Sequence, residues 1–292
     1  MSVTIRVAPA TSGPGLRLDA DMPPLVAALR SHGADAEAVS WDRADVDWSA
    51  YDAVVIRSTW GYCERPVSYL AWVDAVEAVT RLDNPATPVR WNTDKRYLRE
   101  LAAHGVPVVP TRFVAPGERA ILPERGHFVI KPTVSSGARD SARYAAPEHH
   151  DAAARHIAAL HAGGETAMVQ PYLSRIDEGE RALVFLGGTF GHAMRKGPVL
   201  TEVGVLDNDR HPHPGLAPYT PTAAELDLAV AALSVVPVAA HPLLYARVDV
   251  APADDGSPVV MELELVEPNL FLADNPAALH RLAELIRARA VD

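Results

Sequence analysis

Apolar and polar positions alternate in blocks along the first 90 residues. The stretches "SVTIRVAP" and "YDAVVIRS" are short apolar runs with the length of buried strands. "MPPLVAALRSHG" and "PVSYLAWVDAVEAVT" have helical spacing, with Gly33 ending the first and Pro66 near the start of the second. This alternation of strand and helix predicts a small sheet of parallel strands.

The middle of the chain begins with a proline-rich break. Residues 84–89, "NPATPV", interrupt the periodicity and predict the first domain boundary. The stretch "NTDKRYLRELAAHG" predicts one helix, capped by Asn92 and ended by Gly105. A strand over "HFVIKP", a small-residue loop over "TVSSGARDSARY", a helix over "EHHDAAARHIAALHAGG" and a strand over "AMVQPYL" are predicted to follow.

From residue 180 the pattern becomes that of antiparallel strands. "ERALVFL" and "TFGHAMRK" predict a hairpin across Gly187 and Gly188, and "PLLYARVDVAP" and "PVVMELELVEP" predict a strand pair across "ADDG". Helices are predicted over "TAAELDLAVAALSVV" and "NPAALHRLAELIRARA". Residues 197–221 have no periodicity and form a long loop, either a lid or a disordered insertion.

Composition narrows the class of protein. A chain of 292 residues exceeds what one core usually needs, and 48% hydrophobic with 22% charged residues is ordinary for a soluble globular protein. We see no apolar run of about 18 residues and no signal peptide, and the single cysteine, Cys63, fits a reducing compartment. A cytoplasmic protein is therefore expected. The net charge of −10 argues against nucleic acid or an anionic membrane as partner, but not against a nucleotide.

Three carboxylates interrupt the apolar run "VVMELELVEP" at residues 259–268. Side chains alternate along a strand, so Glu262 and Glu264 share one face, and the partner strand adds Asp249 from "YARVDV". Carboxylates on one face repel each other unless a cation lies between them. Two interpretations stay open: a solvated sheet face, or an oxygen-ligand site for Mg²⁺ or Mn²⁺.

Residues suited to a nucleotide lie elsewhere in the chain. Lys131 ends a strand and precedes a Ser-Ser-Gly loop, whose backbone N–H groups could form an anion nest, although no P-loop pattern exists. Lys95 lies in a helix start, where a structural role is the alternative. In "MVQPYL", the Pro171 carbonyl and the Leu173 N–H could read adenine, with Glu178 or Glu180 at the ribose hydroxyls. The alternative for this segment is an edge strand and turn.

The order of these features resembles the ATP-grasp ligase superfamily over residues 92–275. Lys95, "VIKP" with its small-residue loop, "VQPYL", "YARVD" and "MELELVEP" carry the resemblance. It implies an α/β (α+β) fold in which two subdomains clasp ATP behind a preceding α/β domain. The corresponding boundaries are 1–90, 91–172 and 173–292. D-Alanine–D-alanine ligases have a similar Arg-x-Asp strand and a Glu-x-Asn strand, whereas Glu264 stands here in place of the Asn.

The resemblance also implies a role for each matching residue, with ATP and Mg²⁺ as cofactors and Mn²⁺ as the alternative metal. Lys95 and Lys131 would hold the α- and β-phosphates, and Arg247 would stabilise charge at the acyl centre. The loop and adenine hinge would comprise Ser136, Gly137, Gln170, Pro171, Tyr172 and Leu173. The metal ligands would be Asp249, Glu262 and Glu264. Contacts to the γ-phosphate or the reacting carboxylate would come from Arg181, Arg195 and Lys196.

Two further segments, "RSTWGY" and "VRWNTDKRYL", are similar to a branch that includes the cyclo-ligase closing O-ureido-D-serine to D-cycloserine. This implies an acyl phosphate, release of ADP and phosphate, and an amino-acid-like substrate; homodimers are common in the superfamily. Arg57 could hold a substrate carboxylate, Ser58 and Thr59 could hydrogen-bond, and Trp60 and Tyr62 could wall the pocket or be core aromatics.

Other functions stay open beside that one. They are a ligase joining two amino acids or small peptides, a small-molecule kinase on the same fold, and a nucleotide-binding protein without activity. Arg247 favours acyl chemistry, because a kinase has no tetrahedral oxyanion to stabilise.

Overall fold

The computed structural model describes residues 5–209, 213–238 and 243–291. Within these ranges the chain forms three sheets with helices packed on them, which confirms the mixed α/β class. Each sheet falls inside one of the three predicted ranges, 1–90, 91–172 and 173–292. The boundaries themselves stay a prediction.

The first sheet is parallel, as the strand–helix alternation predicts. Its strands are β1 (Ile5–Thr11), β2 (Ala34–Ala36), β3 (Val39–Ser40), β4 (Ala53–Ile56) and β5 (Arg81–Asp83), in the order β2-β1-β4-β5 with β3 also on β1. The helices here are α1 (Gly15–Leu18), α2 (Met22–Ser31) and α3 (Pro66–Glu77). Parallel strands bring the ends of β1 and β4 to the same edge of the sheet, where a ligand site is expected.

The proline-rich break is wrong as a structural prediction, because a helix occupies it. Helix α4 (Ala86–Thr93) starts directly after Pro85. Proline is tolerated in a first helical turn, where no intrahelical N–H bond is lost. Asn92 is likewise not an N-cap: it lies near the end of α4, and the next helix, α5 (Tyr97–Ala103), has Arg96 at that position.

The second sheet is antiparallel, with the order β6-β9-β7-β8. Its strands are β6 (Arg112–Val114), β7 (Gly126–Pro132), β8 (Ala142–Ala146) and β9 (Ala167–Pro171), and helix α6 (His150–Ala162) packs on it. The predicted loop "TVSSGARDSARY" is too long, because its last residues belong to β8. That strand pairs with β7, and its alternate residues Ala142 and Tyr144 are buried.

The third sheet carries the predicted hairpin and strand pair. Its strands are β10 (Glu180–Leu186), β11 (Thr189–Lys196), β12 (Ala217–Tyr219), β13 (Tyr245–Pro252) and β14 (Pro258–Glu264), in the antiparallel order β12-β11-β10-β13-β14. Helices α7 (Ala223–Ser234) and α8 (Pro276–Arg289) follow β12 and β14. Helix α8 packs against α2, and one apolar cluster joins the first sheet to the third.

The long loop at 197–221 falls partly outside the described residues, since 210–212 are not among them. Its first part lies along β8: Gly204 donates its N–H to the Arg143 carbonyl at 2.6 Å, and Asn208 hydrogen-bonds Asp140. Its last part contains the short strand β12. No helix in the described ranges is long and apolar enough to cross a membrane.

Candidate active site

Strand register brings four carboxylates to one face of the third sheet. Arg247 pairs with Glu264, Asp249 with Glu262, and Glu180 with Lys196 across neighbouring strands. Alternation then puts Val248 and Leu263 on the opposite face, in the apolar cluster that contains α7 residues. The face that bears Glu180, Asp249, Glu262 and Glu264 is called the carboxylate face below.

Asp249 is the centre of this face and is only 1% exposed. Its Oδ1 accepts from Arg247 Nε at 2.8 Å, and its Oδ2 accepts from Arg247 Nη2 at 2.9 Å and Lys196 Nζ at 2.7 Å. Burial alone would raise the pKa of Asp249, but Arg247 and then Lys196 outweigh it and hold that pKa well below its usual range. Asp249 is therefore anionic at any pH near neutrality.

The two neighbouring glutamates differ from Asp249, because the effect of burial on their pKa outweighs that of the nearby cations. Glu180 lies 2.7 Å from Lys196 Nζ, and burial raises its pKa although the ammonium partly offsets this. Glu264 pairs with Arg247 Nη2. Its burial, with added repulsion from Asp249 and Glu262, raises the pKa of Glu264 to about 7.

Cations lie over the same face, and they include every lysine of the chain: Lys95, Lys131 and Lys196. Lys95 Nζ lies 2.9 Å from Glu262 Oε1 and donates to the Ser135 carbonyl at 2.5 Å. Burial opposes its charge, but the glutamates outweigh it, so the pKa of Lys95 is raised. The Lys131 side chain has no hydrogen bond or ion pair within the described ranges, and its burial lowers its pKa.

The predicted metal ligands are each engaged by a cation. Asp249 binds Arg247 and Lys196, Glu262 binds Lys95, and Glu264 binds Arg247. As these side chains stand, no group of three His, Cys, Asp or Glu in the described part of the chain is arranged to hold a metal ion. The donor set is nonetheless all oxygen and anionic, which fits a hard divalent cation once an ion pair opens.

The segment that the sequence predicts to bind adenine directs two backbone groups away from β7. Tyr172 donates its N–H to the His127 carbonyl of the β7 side at 2.9 Å, and Phe128 is paired with Pro171. Hydrogen-bonded and non-hydrogen-bonded pairs alternate in an antiparallel ladder. The Pro171 carbonyl and the Leu173 N–H therefore point away from β7, and the Leu173 N–H has no partner within the described ranges.

The side chains of Gln170 and Tyr172 contact neighbouring residues and hold the segment 170–173 in place. Gln170 is buried and donates to Thr111 Oγ1 at 2.7 Å. The Arg143 guanidinium lies 3.8 Å from the Tyr172 ring centroid. Stacking of this kind fixes the ring beside the segment 201–204, which also contacts Arg143.

The small-residue loop rests against the first sheet's domain. Ser136 Oγ lies 3.9 Å from Cys63 Sγ, and Arg139 pairs with Glu64. Gly137 has φ +60° and is exposed, with open space where a side chain would begin. The loop that follows Lys131 therefore packs against residues 63–64 of the first domain.

Three predicted contacts are not supported by the geometry. Arg181 and Arg195 face each other across β10 and β11 on the side opposite the carboxylate face, because neighbours in a strand alternate sides. Arg181 Nε lies 3.4 Å from Glu225 at the start of α7, so the structure does not bring these two arginines to the carboxylate face. Glu178 is exposed and bonds Arg175 at 2.6 Å, whereas Glu180 belongs to the carboxylate face.

The residues predicted to contact substrate lie at the end of β4, and most of their side chains bond or pack against other residues of the protein. Ser58 Oγ is 2.7 Å from Thr11 Oγ1, and Thr59 donates to the Tyr69 hydroxyl at 3.3 Å. Tyr62 is buried against Tyr69, so it is a core aromatic, while Trp60 is partly exposed. Arg57 is buried and donates from Nη2 to the Pro268 carbonyl at 3.1 Å.

A turn after β14, residues 266–273, is held in a way that no local pattern indicates. The Tyr245 hydroxyl lies within hydrogen-bond distance of the Ile56 and Val266 carbonyls, at 2.5 and 3.0 Å, and Arg247 Nη1 donates to the Asn269 carbonyl at 3.0 Å. His192 Nε2 lies 2.8 Å from the Leu270 carbonyl. With the Arg57 bond, four side chains from β13, β11 and the end of β4 fix this turn above the carboxylate face.

Two asparagines and a tyrosine position β14, a role that the sequence did not predict for any of them. The Asn92 amide donates to the Leu263 carbonyl and its oxygen accepts from the Leu265 N–H, both at 2.7 Å. Asn84 bonds the same strand end at the Leu265 carbonyl, and the Tyr97 hydroxyl bonds both backbone groups of Leu263. These long-range bonds fix the strand that carries Glu262 and Glu264.

Comparison with known proteins agrees with this arrangement. Residues 3–84 match the family described as D-cycloserine synthetase DcsG, N-terminal domain. The cycloserine biosynthesis protein DcsG of Streptomyces lavendulae is 40% identical over 302 residues, covering 96% of this chain and 97% of that protein. The crystal structure of D-cycloserine synthetase DcsG aligns with TM-score 0.88 at 38% identity, covering 98% of this chain and 99% of that one.

A more distant structure shows how widely the fold is shared. A D-alanine–D-alanine ligase from Bacillus anthracis complexed with ATP aligns with TM-score 0.71 at 12% identity, covering 99% of this chain and 98% of that one. At this identity the likeness concerns the fold alone, which is that of the ATP-grasp ligases. On the strength of the first relatives, this chain belongs to the DcsG family of ATP-grasp ligases.

Proposed function

We propose that this protein closes O-ureido-D-serine to the ring of D-cycloserine through an acyl phosphate, with release of ADP and phosphate. Its membership of the DcsG family supports an ATP-dependent ligase in D-cycloserine biosynthesis. The observation that carries the proposal is the convergence of three lysines and Arg247 on the four carboxylates of one sheet face. This is charge complementarity for a phosphorylated carboxylate beside a divalent metal.

The first step is transfer of the γ-phosphoryl group to the substrate carboxylate. A carboxylate does not react with an amine directly, because oxide would have to leave. Lys95 and Lys131 would hold the phosphates and Lys196 the transferred group, since a lysine ammonium is a compact charge suited to phosphate oxygens. Mg²⁺, held by Asp249, Glu262 and Glu264, would supply charge screening between the phosphates.

Arg247 fits the second step, in which a tetrahedral oxyanion develops on the acyl carbon. Four of its five N–H groups are engaged, by Asp249 twice, by Glu264 and by the Asn269 carbonyl. One Nη1–H remains to donate to an oxyanion. Because the guanidinium is held by buried partners, that donor is oriented before the reaction begins.

Ring closure needs no second substrate. The ureido nitrogen attacks the acyl phosphate, a C–N bond forms, phosphate leaves and the nitrogen loses its proton. High effective molarities are typical of such closures. The ring then still carries the carbamoyl group, and hydrolysis by one water releases it as CO₂ and NH₃ to give D-cycloserine.

Nucleotide contacts would come from the second sheet. The Pro171 carbonyl and the Leu173 N–H, which point away from β7, match the acceptor and donor needs of adenine. The loop with Ser136 and Gly137 and the segment 201–208 would close over the phosphates and keep water from the acyl phosphate. We extend the proposal to Mn²⁺ as a working substitute for Mg²⁺, to a cytoplasmic location and to a homodimer.

The test is a single reaction of the protein with Mg–ATP and O-ureido-D-serine, followed by mass spectrometry and assays for ADP and phosphate. D-Cycloserine with stoichiometric ADP is expected. ADP with a stable phosphorylated substrate would instead identify a kinase, and ADP only with other amino acids would identify a different ligase. Lys131→Ala and Glu262→Gln should abolish turnover, whereas the exposed pair residue Glu178→Gln should keep it.

A further inference from the structure

Three buried polar side chains meet beneath the turn 266–273 with part of their hydrogen-bonding capacity unused. Asp21, Arg57 and His192 are 3%, 2% and 9% exposed. Asp21 comes from the start of α2, Arg57 from the end of β4 and His192 from β11. They therefore join the first sheet to the third at the edge of the carboxylate face.

Each of these residues uses one side of its polar group to hold the turn. Asp21 Oδ1 accepts from the Ala273 N–H at 2.9 Å, while Oδ2 has no hydrogen-bond partner among the described residues. Arg57 donates from Nη2 to the Pro268 carbonyl and lies 5.3 Å from the Tyr245 ring centroid, but Nε and Nη1 have no hydrogen-bond partner among the described residues. His192 Nε2 must carry the proton that the Leu270 carbonyl accepts, so Nδ1 is an unused acceptor.

The cluster adjoins the acyl centre. His192 and Arg247 flank Val184 on the same face of the sheet, and they bond the adjacent carbonyls of Leu270 and Asn269. Asp21 Oδ2 lies 3.9 Å from Arg57 Nη2, so their charges largely cancel. Unused hydrogen-bonding groups this deeply buried are costly unless a ligand or water satisfies them.

The chemistry of the unused atoms defines the ligand. Arg57 offers donors, whereas Asp21 and His192 offer acceptors, and the pair of opposite charges calls for a neutral group. A terminal carbamoyl, –CO–NH₂, has one strong acceptor and two N–H donors in one plane. We propose that Asp21, Arg57 and His192 recognise the carbamoyl group of the substrate, with its oxygen toward Arg57 and its NH₂ toward Asp21 and His192.

This inference rests on the proposed function and revises one expectation drawn from the sequence. Arg57 was expected to hold a substrate carboxylate, but its partner Asp21 would repel a second anion. Recognition of the carbamoyl end would instead orient the ureido nitrogen toward the acyl phosphate held near Arg247. It would also make the enzyme favour O-ureido-D-serine over O-amino-D-serine, the same molecule without the carbamoyl group.

The experiment compares kcat/KM for these two substrates in the wild type and in two near-isosteric variants. Asp21→Asn replaces the free acceptor by a donor, and His192→Gln keeps a donor for the Leu270 carbonyl while removing Nδ1. Each lost hydrogen bond should lower the preference for the ureido substrate about tenfold, with O-amino-D-serine little changed. His156→Gln is the matched control, because His156 is buried with an unpartnered Nε2 but lies in α6.

Calorimetric binding of both compounds without nucleotide gives a readout that does not depend on turnover. Equal losses for both substrates in the variants, or no preference in the wild type, would overturn the carbamoyl site and leave the cluster as a structural support for the turn. Carbamoyl-dependent binding with no D-cycloserine formed would reject the proposed reaction but keep the site. Thermal denaturation of each variant checks that it folds.

Discussion

The raised pKa of Glu264 makes a quantitative prediction about stability and pH. In the folded protein its pKa is about 7, against an ordinary value of 4.5, because burial and the neighbouring carboxylates disfavour the anion. The folded state therefore keeps this proton to higher pH than the unfolded chain. Its contribution to stability is complete below pH 4.5 and is lost as the pH rises through 7. At about 1.4 kcal/mol per pKa unit, the loss is about 3 kcal/mol.

Glu264→Gln removes this titration without changing the size of the side chain. The melting temperature of the wild type should fall from pH 5 to pH 8 by roughly 6 °C more than that of the variant, taking about 2 °C per kcal/mol for a chain of this size. Scanning calorimetry with a chelator and without nucleotide measures the difference. Glu178→Gln should keep the wild-type pH dependence, since that side chain is exposed. A Glu264→Gln curve parallel to the wild type would refute the reasoning.

Three further perturbations test other parts of the structure. Asn92→Ala removes two buried hydrogen bonds to β14, each worth ~1 kcal/mol, and should lower the free energy of unfolding by about 2–3 kcal/mol in thermal denaturation. A loss below about 0.5 kcal/mol would argue against those bonds. Gly179→Ala should destabilise the paired ends of β10 and β11, because a Cβ there would lie 2.6 Å from an arginine side chain. Gly117→Ala is the control, since Gly117 also has a positive φ but has open space where a Cβ would lie. Arg143→Ala frees the Tyr172 ring and should raise the KM for ATP about threefold to tenfold, with kcat preserved.

The parts of the fold that depend on local periodicity could be predicted from the sequence. The period of two in "MELEL" assigns Glu262 and Glu264 to one face whatever surrounds the strand, and the structure has them there with Asp249 opposite. The same rule, applied to "ERALVFL", excludes Glu180 and Arg181 from a common face. Whether Glu180 or Arg181 points toward the site depends on the register between this strand and the strand that carries Asp249. Register is a tertiary property, which the local pattern does not determine.

Features that rest on long-range contacts could not be predicted in this way. Asn92 bonds a strand about 170 residues later in the chain, and a capping pattern describes only its own neighbours. His192 and Asp21 are single polar residues beside apolar runs, and their roles appear only when the turn 266–273 lies between them. One sequence signal was available: all three lysines of a chain otherwise rich in arginine lie over the carboxylate face.

That use of lysine has a practical consequence for chemical labelling. Apart from the α-amino group, the only primary amines of the protein are the three lysines over the carboxylate face. An amine-reactive reagent thus becomes a reporter of the active site, with no surface lysines to consume it. Lys131, whose pKa is lowered and which has no ion-pair partner in the described ranges, should react first. Bound nucleotide should protect Lys131 from the reagent. Labelling the intact enzyme and then measuring the Lys131 peptide by mass spectrometry would therefore report the occupancy of the site.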